Sequence, residues 1–112
     1  MIHQMGLYDK YFGAIIDRKK TVECRLNDEK RRKIRVGDTI EFIMVPEKDD
    51  TLLVKVIELR TYESFKDMYR DIPFKDFGCE GLTMEEMVDG TYEIYTPEQE
   101  KTWGTLAITI KY

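Results

Sequence analysis

The chain has 112 residues, 42% of them hydrophobic and 36% charged, with a net charge of −4. That length holds one domain able to bury roughly two-thirds of its unfolded surface, and the composition excludes a disordered polyelectrolyte. No apolar run reaches membrane-span length, no signal-like stretch opens the chain, and Cys24 and Cys79 form neither a disulfide framework nor a C-x-x-C pair; a cytoplasmic protein with two reduced thiols and no metal or cofactor is expected.

In chain order, the first periodic segment follows Gly6. Leu7, Tyr8, Tyr11, Phe12, Ile15 and Ile16 recur at spacings of three and four, which predicts a short helix with one face on the core. The period then changes: Val22, Cys24 and Leu26 alternate with Thr21, Glu23 and Arg25, the pattern of a strand entered at Lys20. Asn27 to Lys33 is polar and predicts a helical turn capped by Asn27 or Asp28, and Val36-Gly37-Asp38 predicts a turn into the next strand. Thr39–Val45 and Leu52–Leu59, rich in β-branched and apolar residues, read as strands around a hairpin loop at Pro46–Asp50.

Beyond Arg60, Phe65, Met68 and Tyr69 fall on one helical face, with Thr61 or Ser64 available as cap and Pro73 as terminator. Thr83-Met84-Glu85-Glu86 is a capping box that starts a helix at Met84, with Leu82 and Met87 placed as a hydrophobic staple. Thr96-Pro97-Glu98-Gln99 repeats the signal with proline at the first helical position. After Trp103-Gly104, the alternating Leu106, Ile108 and Ile110 predict a closing strand. With no repeat or linker, residues 1–112 read as a single domain. Four or five strands interleaved with short helices make it a small α+β barrel, since no Gly-rich turn follows a strand as parallel α/β folds require.

Charge is unevenly placed. Between Arg18 and Arg35, nine basic residues stand against three acidic ones, a balance of +6, so the other 94 positions carry −10. An acidic body with one basic segment suits a local phosphate or nucleotide site; a solvated basic loop is the alternative. His3 is the only histidine and lies near a terminus expected to be mobile, so histidine catalysis and His-ligated zinc are not encoded, and no phosphate-binding glycine motif is present.

The stretch from Lys20 to Leu26 carries what chemistry remains. On a strand, Glu23 and Arg25 share a face about 7 Å apart. Arginine supplies a planar fork, lysine a mobile point charge and glutamate an acceptor, a set better suited to a nucleobase than to a bare phosphate. The plainer reading is a structural ion pair on a solvated face. Cys24, opposite Glu23, is expected to be buried and unreactive, and Tyr11, Phe12, Phe42 and Trp103 to pack in the core.

Lys20-Thr21-Val22-Glu23-Cys24-Arg25, then Leu26 to Arg32, then Val36-Gly37-Asp38-Thr39-Ile40-Glu41-Phe42, resembles the ASCH family, whose hallmark is G-x-K-x-x-E-x-R ahead of a G-D turn and strand. The likeness continues through Tyr62-Glu63-Ser64-Phe65 and ends with Tyr95-Thr96 and Gly104 to Ile108. The resemblance implies a PUA-like small β-barrel with flanking short helices and a cleft that handles RNA or a nucleotide-like ligand, without metal or membrane. It places Lys20, Thr21, Glu23 and Arg25 in that cleft and Ser64, Phe65 and Tyr95 at or near its rim. Where the motif has glycine, this chain has Arg18.

Some members that the chain resembles are enzymes. In the small amidohydrolases acting on acetylated cytidine, Lys20 would match the catalytic lysine, but the threonine position holds Glu23, a poor acyl nucleophile, which leaves Thr21 as a substitute. A ribonuclease would use Lys20 and Arg25 to stabilise the phosphorane and Tyr95 to relay a proton.

Overall fold

A computed structural model describes residues 1–112. In chain order it comprises β1 (Ile2–Tyr8), α1 (Asp9–Ile16), β2 (Val22–Leu26), β3 (Thr39–Val45), β4 (Thr51–Tyr62), α2 (Phe65–Asp71), α3 (Met84–Tyr92), α4 (Pro97–Trp103) and β5 (Thr105–Lys111). The strands form one sheet in the order β1-β3-β4-β5-β2. Only β1 and β3 run parallel; the other pairs are antiparallel. A bulge in β4 between Val56 and Glu58 adds local twist, and the sheet curls into a half-barrel flanked by the four helices, an α+β fold.

The N-terminus differs from the sequence expectation. Leu7 and Tyr8 end a strand instead of starting a helix, and His3, Met5 and Leu7 point inward from it. Gln4, Met5 and Gly6 are weak strand formers, and Leu7 and Tyr8 happen to continue the spacing of α1, which hid the change of period. His3 is buried, and its Nε2 donates to Asp38 Oδ2 at 2.8 Å. That bond, and a second from the Arg35 backbone N–H, hold the Asp38 carboxyl down to about 2.

The helix ends explain the turns that carry the site. After α1, the Lys19 N–H bonds to Ala14 O and the Arg18 N–H to Ile15 O, the paired bonds of a Schellman motif, with Arg18 at φ 61° in the left-handed position that usually belongs to glycine. The motif's missing glycine is therefore replaced in identity but not in backbone shape. Ser64 caps α2 through Asp67 N–H, and Thr83 and Thr96 form complete capping boxes with Glu86 and Gln99. Gly104 (φ 71°) ends α4, and a Cβ there would lie 3.1 Å from Tyr62 O.

Two apolar clusters fill the interior. One, under α1 and the sheet, includes Phe12, Ile15, Ile40, Phe42, Val54 and Ile108; the other, under α2 and α3, includes Val22, Leu26, Phe65, Met68, Phe77 and Met87. Each fully buried side chain of this size contributes about 1.5–3 kcal/mol. Phe12 and Phe42 are core residues as expected, while Tyr11 and Trp103 only flank the clusters.

Candidate ligand-binding site

β2 packs Val22 and Leu26 into the second cluster, and its entry is fixed by backbone bonds: Lys20 bridges to Phe77, and Thr21 N–H donates to Asp76 O at 2.8 Å. Gly78 (φ 78°) lets the following loop lie on the lysine stem, since a Cβ there would come within 3.3 Å of Lys20 Cβ. Lys20 Nζ donates to Glu23 Oε1 at 3.1 Å and sits 4.7 Å from the centre of the Tyr11 ring. Arg25 Nη2 donates to Glu23 Oε2 at 3.0 Å and to the Gly6 carbonyl at 2.8 Å. That second bond joins β2 to β1, the two free edges of the sheet.

The three side chains are only 3%, 6% and 14% exposed for Lys20, Glu23 and Arg25. Desolvation opposes every charge here, yet the two cations outweigh it at Glu23, whose carboxyl falls to about 2. Burial likewise disfavours the charge on Lys20 and on Arg25, but the Glu23 carboxylate prevails and the pKa of each rises. All three groups are charged at neutral pH, with one positive charge in excess. The expected ion pair exists, but inside the molecule and not on a solvated face.

A cavity of about 360 Å³ opens beside this triad. Its walls include Leu7, Val45, Phe77, Met87 and Ile94, together with the rings of Tyr11, Tyr69 and Tyr95. Burial raises the Tyr11 and Tyr95 hydroxyls, so both remain protonated donors.

Cys24 also lines the cavity, and the hydrogen bonds define its state. Thr91 Oγ1 donates to Met87 O at 2.8 Å, so it accepts from Tyr69 OH at 2.6 Å, which leaves the Cys24 thiol as donor to Tyr69 at 3.6 Å. Burial raises the Cys24 pKa further, and the thiol is inert as a nucleophile.

Of the residues singled out from sequence, Lys20, Glu23, Arg25 and Tyr95 converge on this cavity. Thr21 does not; it is exposed and lines a separate hollow with Arg18, Ile110 and Lys111. Ser64 caps α2, and Phe65 is fully buried, stacked behind Tyr95 at 5.4 Å. Sequence reasoning missed the contributions of Gly6, Leu7, Tyr69 and Thr91; recognising β1 as a strand would have signalled the first two. Much of the basic segment is engaged elsewhere: Arg31 pairs with Asp28, and Arg32 bonds to Asn27 O and lies over Trp103. No group of three or more His, Cys, Asp or Glu side chains is placed to hold a metal, and no helix is long and apolar enough to cross a membrane.

The ASCH domain profile matches residues 5–112. The chain belongs to the ASCH family. The crystal structure of hypothetical protein PH0355 is 39% identical, with 99% of this chain and 98% of that one covered at a TM-score of 0.88. The solution structure of PF0455 from Pyrococcus furiosus is 35% identical, covering 99% and 96% at a TM-score of 0.78. The ASCH protein of Zymomonas mobilis, 13% identical, shares the fold at a TM-score of 0.64, with 99% of this chain and 67% of that one covered. No curated protein matches the chain.

Proposed function

We propose that this ASCH domain binds RNA or a nucleotide-like ligand through one base held in the cavity, with Lys20 and Arg25 meeting the ligand and Glu23 orienting them. One observation carries the reading. A buried lysine and a half-buried arginine, each with N–H groups not used by the protein, line a cavity whose volume falls in the roughly 300–1,000 Å³ range of small-molecule sites. Aromatic walls suit a splayed-out single-stranded base, the form in which proteins recognise RNA sequence.

Titration of short single-stranded RNAs and mononucleotides tests this. Binding should be lost in Lys20→Ala and Arg25→Ala and should weaken with salt by about 0.7 log units per tenfold salt for each phosphate engaged. Binding that ignores both substitutions rejects the assignment.

Hydrolysis of acetylated cytidine or cleavage of RNA has less support. Lys20 is held as ammonium, Glu23 is a weak base near 2, Thr21 lies outside the cavity and the Cys24 thiol is protonated. Turnover of either substrate that disappears in Lys20→Ala would restore that reading.

A further inference from the structure

The hydrogen-bond valences left open in the triad narrow the ligand, on the reading that the cavity holds a base. Glu23 Oε1 accepts from Lys20 Nζ and from the Cys24 N–H, and Oε2 accepts from Arg25 Nη2. A carboxylate has about four lone-pair sites, so one acceptor position on Oε2 remains. Both hydrogens of Arg25 Nη2 are spent, on Glu23 and Gly6, while Nη1 and Nε bond to nothing in the protein. Lys20 spends one of three N–H groups. The remaining capacity is a donor at Lys20, an acceptor at Glu23 and a donor at Arg25, with the carboxylate between the two cations.

We infer that the cavity selects a uracil-type base, reading its carbonyl, N–H, carbonyl edge against the donor, acceptor, donor order of Lys20, Glu23 and Arg25. Cytosine presents an amino group and an unprotonated ring nitrogen where uracil has a carbonyl and an N–H. Two of its three groups would face like partners, leaving buried polar atoms unsatisfied. Such mismatches each cost enough to weaken binding on the order of tenfold to a hundredfold. A phosphodiester has no O–H or N–H to offer the central acceptor, and the apolar walls at Leu7, Val45, Phe77 and Met87 disfavour a multiply charged phosphate.

The test is calorimetry of the intact chain with uridine, cytidine, 3-methyluridine and inorganic phosphate. Uridine should bind at least tenfold more tightly than cytidine, and 3-methyluridine, which keeps both carbonyls but loses the N–H, should bind as poorly as cytidine. Inosine should likewise exceed adenosine. Cytidine equal to or better than uridine, or 3-methyluridine equal to uridine, overturns the inference while leaving a nucleobase site intact. Phosphate competing as well as uridine overturns it too. Failure of every nucleoside and of short RNAs removes the binding reading itself, and this inference with it.

Discussion

Replacing Glu23 by glutamine keeps the size of the side chain and removes the charge that holds Lys20 and Arg25. The displacement of its carboxyl from 4.5 to about 2 corresponds to about 3 kcal/mol of folding stability. This agrees with the roughly 3–5 kcal/mol lost when one partner of a buried pair is removed. Because the folded pKa is depressed, this contribution is fully present above 4.5 and is lost as pH falls towards 2. Urea unfolding followed by circular dichroism should find Glu23→Gln about 3 kcal/mol less stable at pH 7, with the deficit shrinking between pH 4.5 and 2. A deficit below about 1 kcal/mol at pH 7, the level of an exposed pair, would refute the reasoning, as would parallel pH profiles for the two proteins.

Arg18→Gly should stabilise the chain by about 0.5–1 kcal/mol, since relief of the left-handed penalty exceeds glycine's added entropy cost; thermal melts that show destabilisation would count against it. Thr91→Val removes the acceptor of the buried Tyr69 hydroxyl and should cost about 1–3 kcal/mol, most of it recovered when Tyr69→Phe is added; an additive double variant would argue against the relay. In a Cys79→Ala protein, whose one thiol is Cys24, labelling by a thiol-exchange reagent should run roughly tenfold or more slower in the native than in the unfolded state. Equal rates would contradict the protonated, bonded thiol.

Most of the fold was legible because its punctuation is local. Ser64, Thr83, Thr96 and Gly104 mark helix ends through contacts within a few residues, and the alternation of Leu106, Ile108 and Ile110 needs no partner to be read. Illegible parts depend on distant segments. β1 is a strand because β3 lies beside it from Ile2 to Tyr8, a pairing that nothing in Gln4-Met5-Gly6 announces. The triad could be read from spacing in β2, yet its depth could not: Lys20 is covered by a loop almost sixty residues away, where Gly78 closes over the lysine stem. Thr21 shows the limit of reading a motif as a contiguous block, for its neighbour in sequence enters the cavity and it does not.

The bond from Arg25 to the Gly6 carbonyl has a mechanical consequence. Between the outermost strands no ladder of amides runs, so this seam can part without unzipping any other pair, while the central strands are pinned on both sides. The seam and one wall of the cavity thus coincide at Gly6 and Arg25, so a strain placed on the guanidinium is felt first along the line where the sheet is least bonded.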